Sequence, residues 1–240
     1  MTGWVPKRFW TEARALPVAG GFGVSLDDRP LRTPGRAPLV VPALPLAEAI
    51  AAEWAAQGER GERVDPQSMP FTRTANTAID TVRPNFAQVA ATVSAYGGTD
   101  LLCYRAEAPR ELVARQAEAW DPLLDWAARA HSARLAAGTG ILHIPQDPQA
   151  LAGLSHAVGA LTPFALAALH ELVALSGSLV IGLAALKGAW PGESLWAASR
   201  IDEDWQAGLW GTDEEAAANA ARRKTDFLSA QVFHRLAALD

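Results

Sequence analysis

The stretch "GGFGVSLDDRPLRTPGRAPLVVP", residues 20–42, decides the fold class. Apolar side chains alternate with small or polar ones at its start, which is the period-two pattern of a half-buried strand. These alternating positions are Phe22, Val24 and Leu26. Turn-forming residues follow at 27–30 and again at 34–36, before a second apolar run at 39–41. The stretch therefore predicts a small antiparallel β-meander near the amino terminus.

Helical periodicity dominates the rest of the chain. A helix that starts near Pro45 and stops at Gly58 would cover the meander, since its apolar residues recur every four positions. A short helical pattern then ends before Pro84. Further helices are predicted over 85–96, 109–131, 147–160, 163–187, 192–209 and 213–238.

These elements predict an α+β protein in which a small β-rich N-terminal domain precedes a larger orthogonal helical bundle. The domain boundary is placed where the helical pattern becomes continuous. Residues 1–82 would then form the β-rich domain with one or two covering helices, and residues 83–240 the helical bundle domain.

Charge and cysteine content limit the possible partners and the cellular compartment. The formal net charge is −5, and the longest basic run is Arg222-Arg223-Lys224, so little is available to neutralise a phosphate backbone. Nucleic acid is therefore not an expected partner. A single cysteine, Cys103, cannot form an internal disulfide and suits a reducing compartment.

No segment has the length of a membrane span. The longest apolar stretch runs from Leu172 to Leu186 between Glu171 and Lys187, shorter than the roughly 20 residues that cross a bilayer. It is predicted to be a buried helix. The first residues lack the apolar core of a signal peptide. We therefore expect no membrane insertion.

A search for catalytic chemistry finds no motif. No phosphate-binding glycine loop and no local metal motif is present, so no cofactor and no metal are predicted. The serines of "LSGSLVIG", residues 175–182, would lie inside a long apolar helix, where Gly177, Ser178 and Gly182 allow close helix packing. Cys103 has no basic neighbour to activate it. We therefore predict no catalytic residue and no enzyme activity.

The segment "SRIDEDWQAGLWGTDEEA", residues 199–216, combines six carboxylates with two tryptophans. Ile201, Trp205 and Leu209 repeat every four residues and so share one helical face, while the acids at 202–204 fan around the other sides. Trp210 lies one position off this face. It is either a further buried tryptophan or an exposed anchor for another protein.

The second half of this segment has the pattern of a helix start. Gly211 suits a helix stop and Thr212 an N-cap, with Glu215 completing a T-x-x-E capping box. Asp213 and Glu214 would be favoured by the dipole of the next helix. Capping explains these acids without any ligand, but it does not explain Trp210.

With these residues laid out, the chain resembles the ATP12 family of assembly chaperones for the F1 part of ATP synthase. Each fragment is weak alone, but their order and spacing together are specific. The fragments that carry the resemblance are "KRFW" (7–10), "VSLDDRPLRTP" (24–34), "LAEAIAAEWAAQ" (46–57), "DPQSMPFTRTANTAID" (65–80), "YGGTDLLCYRAEAP" (96–109), "WDPLLDW" (120–126), "SGSLVIGLA" (176–184) and "IDEDWQAGLWGTDEEA" (201–216).

The resemblance implies a non-catalytic chaperone. Such a protein binds the free F1-ATPase α subunit transiently and shields its subunit interface until the β subunit replaces it. A monomer is expected. Since the chain starts almost directly at "KRFW" without an import sequence, the resemblance also implies the cytoplasm of a bacterium. In this family, carboxylates near the carboxy terminus matter for function, and the matching region here is 202–215.

Six residues of this region are the predicted partner-binding site, with Glu203 and Glu214 favoured among the acids. The tryptophans would anchor the partner, and the acids would steer basic groups on it. The six are Asp202, Glu203, Trp205, Trp210, Asp213 and Glu214.

Two other functions stay open at this point. A carboxylate-dependent hydrolase would use acids of 202–215 with Asp121 or Asp125, in a pocket where two carboxylates lie about 5–10 Å apart. A permanent helical adaptor of the ATP synthase would instead remain bound to the assembled enzyme.

Overall fold

The computed structural model describes residues 7–211 and 213–238. A small sheet near the amino terminus is followed mainly by helices, which is the predicted α+β class. The helices are α1 (Leu44–Ala55), α2 (Pro70–Thr77), α3 (Phe86–Ala95), α4 (Arg110–His131), α5 (Pro148–Gly159), α6 (Pro163–Ser176), α7 (Leu179–Leu186), α8 (Gly192–Ser199), α9 (Ile201–Trp210) and α10 (Glu214–Ala237). The strands are β1 (Ala13–Val18), β2 (Gly21–Leu26), β3 (Arg29–Pro30), β4 (Val40–Val41), β5 (Tyr104–Arg105) and β6 (Gly138–Thr139).

The predicted meander is present and is enlarged by one strand. β2 pairs antiparallel with β3 and with β4, as the alternation of Phe22, Val24 and Leu26 indicates. β1 pairs along the whole length of β2, with Ala13 opposite Leu26 and Val18 opposite Gly21. β1 was not predicted, because its side chains are mostly exposed and it lacks a clear apolar alternation.

Side-chain hydrogen bonds fix the two turns of the meander. Asp27, in a left-handed conformation with φ of 52°, accepts hydrogen bonds from the backbone N–H groups of Thr11 and Glu12 at 3.0 and 2.9 Å. Asp80 accepts from the Thr33 hydroxyl at 2.7 Å and from the Gly35 N–H at 2.8 Å. Each turn is thus held to a neighbouring segment by a carboxylate.

The chain forms two compact units. Among the described residues, the first comprises 7–85, Pro163–Ala168 and 232–238, and the second comprises Phe86–Thr162 and, apart from residue 212, Leu169–Gln231. In the first unit, α1 buries Leu46, Ile50 and Trp54 as predicted. The domain boundary placed after residue 82 stays a prediction.

In the second unit, α4 carries a stripe of buried side chains along one face. These are Leu112, Gln116, Trp120, Leu123 and Ala127. Gln116 is the polar member of this stripe and is 1% exposed. A buried amide must find hydrogen-bond partners, so its position predicts a specific contact.

Two predicted helices are each divided in two. The helix expected over 163–187 ends at Ser176, Gly177 turns the chain with φ of 73°, and the Ser178 hydroxyl caps α7 by accepting from the Ile181 N–H at 3.0 Å. Ser178 is therefore a helix cap and does not lie inside a helix. Gly182 does allow close packing, since an added Cβ would lie 2.8 Å from side-chain atoms of Leu169 and Val173.

The helix expected over 192–209 is also interrupted. α8 ends at Ser199, and Arg200 adopts a non-helical conformation with φ of −112° and ψ of 5° before α9 begins. Apolar periodicity runs through both breaks, so it does not reveal them. The acidic segment therefore begins a helix of its own, α9, after Arg200.

Candidate functional site

The candidate site begins at the corner between α8 and α9. Side chains of α4 donate hydrogen bonds to both of these helices. The indole Nε1 of Trp120 donates a hydrogen bond to the carbonyl of Ala198, in the last turn of α8, at 2.8 Å. Four residues earlier on α4, Gln116 Nε2 donates to Asp202 Oδ1, in the first turn of α9, at 2.6 Å. The spacing of four puts both donors on one face of α4.

Asp202 is consequently an anchored acid. Its side chain is half-buried, and the amide that it contacts is also held at its other end, where Gln116 Oε1 accepts from the Ala106 N–H at 2.9 Å. One buried glutamine thus links α9 to the segment after β5. Asp202 has a structural partner inside the chain.

The neighbouring acids of α9 face solvent. Glu203 is exposed and pairs with Arg200 at 2.8 Å, while Asp204 is exposed as well. Both lie in the first turn of α9, where the helix dipole favours negative charge. An exposed ion pair is easily exchanged for a pair with another molecule, because it contributes little stability.

The two tryptophans of α9 have different surroundings. Trp205 is half-buried, and the Arg115 guanidinium carbon lies 5.3 Å from its ring centroid, a cation–π arrangement with α4. Trp210, at the last position of α9, is 84% exposed, and Leu209 beside it is 60% exposed. Trp210 is therefore not a further buried tryptophan, and its role as an anchor for another protein stays a prediction.

The turn after Trp210 differs from the predicted capping box. Gly211 ends α9 with φ of 88°, as expected of a glycine stop. The carboxylate of Asp213 then accepts a hydrogen bond from the Ala216 N–H at 3.1 Å, so Asp213 caps α10 one residue later than predicted. Thr212, the predicted cap, lies outside the described residues. Glu214 is exposed in the first turn of α10.

The six predicted residues therefore divide by environment. Asp202 and Trp205 contact α4, and Asp213 caps a helix. Glu203, Trp210 and Glu214 present exposed groups. Within the described part of the chain, no hydrogen bond or ion pair joins two of the six.

The residues that position this segment, chiefly Gln116 and Trp120 of α4, were not predicted from the sequence. A signal for Gln116 was present, since it is a polar residue inside an apolar stripe of four-residue spacing. The identity of its partner, 86 positions later in the chain, has no local signal.

The described residues contain neither a metal-binding cluster nor an activated thiol. Over 7–211 and 213–238, no group of three or more His, Cys, Asp and Glu side chains could hold a metal ion. Burial raises the pKa of the Cys103 thiol to about 12, so the thiolate is not formed at neutral pH. Cys103 is thus an inert, buried thiol.

None of the helices in the described chain is both long enough and apolar enough to span a membrane.

Comparison with known proteins decides the family. The sequence profile of the ATP12 chaperone protein family matches residues 7–128. The chain belongs to the ATP12 family. The crystal structure of Atp12 from Paracoccus denitrificans is 50% identical, with a TM-score of 0.90 over 96% of this chain and 98% of that one. It is a structure of a relative, not of this protein.

Two further solved structures agree with this family membership. An aspartate-to-lysine mutant of the Paracoccus protein is 49% identical, with a TM-score of 0.90 over 96% of this chain and 97% of that one. The Atu1473 protein of Agrobacterium tumefaciens, described as a candidate chaperone, is 40% identical, with a TM-score of 0.90 over 97% of this chain and 86% of that one. The resemblance stated from sequence fragments is therefore confirmed, and the chain is a member of a chaperone family.

Proposed function

We propose that this protein is a non-catalytic assembly chaperone that binds the free F1-ATPase α subunit. It covers part of the subunit interface until the β subunit replaces it. It works as a monomer in the cytoplasm, a compartment that suits its single, reduced cysteine. Membership of the ATP12 chaperone family supports the general activity.

One observation carries the proposal for where the α subunit binds: Trp210 is 84% exposed at the end of a helix. A tryptophan side chain removes about 150–250 Å² from water when it is buried. Leaving such a side chain in solvent is unfavourable, and exposed tryptophans are typical anchors of protein interfaces. With Leu209 it forms an apolar pair, which we call the α9 tip (Leu209 and Trp210).

Charge around the α9 tip suits a basic partner surface. Glu203 and Asp204 precede it on α9, and Glu214 and Glu215 follow it on α10, all of them exposed. An apolar anchor with acids nearby combines contact area with electrostatic steering. Asp202 and Trp205 support this surface from beneath through their contacts with Gln116 and Arg115.

The binding has to be reversible, because the β subunit displaces the chaperone. A complex of moderate strength, with a Kd on the order of 1 μM, meets this requirement. A small anchor on a mostly polar surface is consistent with such an affinity, whereas an extended apolar interface is typical of permanent complexes.

The proposal is tested by co-expression of this chain with the F1 α and β subunits of the same genome. We expect α alone to stay soluble and to co-purify with the chaperone, and the complex to be lost when β is added. If α does not co-purify, the proposal is wrong. Stable co-purification with the assembled ATP synthase would instead identify a permanent adaptor.

The α9 tip is tested by Trp210→Ala. Capture of α is expected to weaken by at least about tenfold, because an interface anchor of this kind contributes on the order of 2 kcal/mol. The matched control is Leu142→Ala, which truncates a side chain that is similarly exposed, at 83%, in a loop outside α9. Equal capture by Trp210→Ala and the native chain would exclude the α9 tip as the anchor.

A further inference from the structure

A second candidate surface lies in the first unit, beside strand β4. A groove of about 370 Å³ is lined in part by this strand, and we call it the β4 groove. Its principal lining residues are Pro38, Val40, Val41, Ile79, Arg83 and Phe164. Arg83 is the charged member of this lining, and the other five are apolar.

The strand at the side of the groove lies at an edge of the sheet. β4 pairs with β2, where Val41 lies opposite Phe22 and Val40 opposite Gly23. Among the described residues, no other strand pairs with β4. Since successive residues of a strand direct their N–H and C=O groups to opposite sides, an edge strand offers backbone groups that an added strand can pair with. An edge without a second strand favours an extended peptide over a compact ligand.

Arg83 gives this surface a charge preference. Its side chain is exposed, and its guanidinium carbon lies 5.8 Å from the ring centroid of Phe164. Phe164, by contrast, is 6% exposed, so the ring supports the guanidinium from below. Within residues 7–211 and 213–238, no carboxylate forms an ion pair with Arg83. A guanidinium at an apolar groove is well suited to bind a carboxylate brought by another molecule.

We propose that the β4 groove binds an extended apolar segment of the client subunit that carries an Asp or Glu side chain. The segment adds main-chain hydrogen bonds to the edge of β4, places apolar side chains against Ile79 and Phe164, and pairs its carboxylate with Arg83. This inference rests on the proposed function, because the client is the F1 α subunit. It adds a second surface, of opposite charge preference to the α9 tip.

The size of the groove agrees with such an occupant. A volume of about 370 Å³ accommodates only a few side chains, near the lower limit of the roughly 300–1,000 Å³ typical of binding pockets. A short strand of the client fits this space, and the charge of Arg83 selects among the apolar strands that the client exposes. Specificity of this kind restrains the chaperone from binding every unfolded chain.

The first test compares charge variants in the co-expression assay. Arg83→Glu is expected to weaken capture of the α subunit by at least about tenfold, since it replaces an attraction by a like-charge repulsion. Arg83→Lys keeps the charge and should retain most of the capture. Arg60→Glu is the matched control, because Arg60 is an exposed arginine outside the lining of the groove. Thermal unfolding of each purified variant checks that it is folded.

The outcomes separate the two proposals. If the native chain captures no α subunit, the proposed function and this inference both fail. If the native chain and Arg83→Glu capture α equally well, only the inference is overturned, and the α9 tip remains the tested anchor.

A crosslinking experiment identifies the occupant without altering Arg83. A photoreactive benzoylphenylalanine replaces Ala19, an exposed residue at the rim of the groove, in the chain co-expressed with the α subunit. After irradiation, mass spectrometry should find a crosslinked α peptide that is apolar and contains Asp or Glu. A crosslinked peptide without an acidic residue, a crosslink to a second copy of this chain, or no crosslink to a captured α subunit would overturn the inference.

Discussion

At the scale of single residues, Gln116 shows how a buried polar group positions a surface acid. Its amide nitrogen donates to Asp202 and its amide oxygen accepts from the Ala106 N–H. If an apolar group replaced the amide, Asp202 and the Ala106 N–H would each lose a hydrogen bond. A buried polar group without a hydrogen-bond partner lowers the stability of the fold by more than the bond itself contributes. Asp202 therefore depends on α4 for its position.

Gln116→Leu tests this arrangement. The free energy of unfolding should fall by about 1–3 kcal/mol, because the half-buried carboxylate and the Ala106 N–H are left unpaired. Urea unfolding followed by tryptophan fluorescence measures the change. The control is Gln88→Leu, an exposed position on α3 where the expected change is within about 0.5 kcal/mol. Equal effects of the two substitutions would contradict a special role of Gln116.

Asp27 is a second residue whose carboxylate accepts hydrogen bonds from the backbone. Hydrogen bonds from the N–H groups of Glu12 and Thr11 hold the pKa of this carboxyl below its ordinary value of 3.8. A carboxyl with a lowered folded-state pKa stabilises the fold above its unfolded-state pKa, and this contribution is lost as pH falls through the folded-state pKa. The contribution is thus present at pH 6 and declines below about pH 3.8.

The pH dependence of Asp27→Asn tests that sign. Asparagine tolerates the left-handed conformation but cannot carry the charge. The loss of stability caused by the substitution should be larger at pH 6 than at pH 3, as measured by urea unfolding at both values. Asp28→Asn is the control for the removal of a neighbouring charge. A loss that is the same at both pH values would show that the charge of Asp27 is not involved.

At the scale of elements, the boundaries of helices depend on single residues within apolar runs. The run over 163–187 is helical on both sides of Gly177, and the break there lets the Ser178 hydroxyl cap α7. The buried carboxylate of Asp100 also accepts from the Val180 N–H at 3.1 Å. A distant side chain therefore helps to begin this helix where periodicity predicts a continuous one.

Substitution of two glycines by alanine should give effects of opposite sign. Gly177→Ala is expected to lower the free energy of unfolding by about 1 kcal/mol, since φ of 73° is unfavourable for a residue with a Cβ. Space is not the cause, because the nearest atom to an added Cβ is 3.9 Å away. Gly159→Ala, at the end of α5 with open space around it, should stabilise by about 0.4–1 kcal/mol. Thermal and urea unfolding measure the stability of both variants. Effects of the same sign would contradict the explanation by backbone conformation.

Strand β1 illustrates what element-scale patterns miss. Its burial pattern is mostly exposed, so its sequence lacks the alternation that identifies Phe22, Val24 and Leu26 in β2. β1 is a strand because β2 offers it a complete ladder from Ala13 to Val18. Pairing with a neighbour, rather than its own sequence pattern, decides the structure of this segment.

At the scale of the whole molecule, charge distribution should set the rate of partner association. The net charge of −5 favours approach to basic surfaces, and the acids around the α9 tip concentrate negative charge at the proposed site. Exposed charges near an interface act mainly on the association rate, and salt screens them over about 10 Å at 0.1 M.

A charge-reversal pair tests this steering. Glu203→Lys with Glu214→Lys should slow association with the α subunit several-fold at low salt, and the difference should shrink at high salt. Surface plasmon resonance at two ionic strengths measures the association rates of the native chain and of the variant. Glu48→Lys with Glu118→Lys makes the same change in net charge at exposed positions elsewhere. An equal effect of the two pairs would show that only net charge matters.

The sequence by itself determined the α+β class, the meander around Phe22, Val24 and Leu26, the positions of most helices, and the family. These features follow from local periodicity, turn residues and ordered fragments, which are properties of neighbouring positions in the chain. Only the tertiary structure decided the partner of Gln116, the exposure of Trp210 and the groove beside β4. Each of these depends on contacts between residues far apart in sequence, such as Gln116 with Asp202 and Arg83 with Phe164. A side chain's neighbours across the fold leave no local pattern, so its surroundings are set by packing.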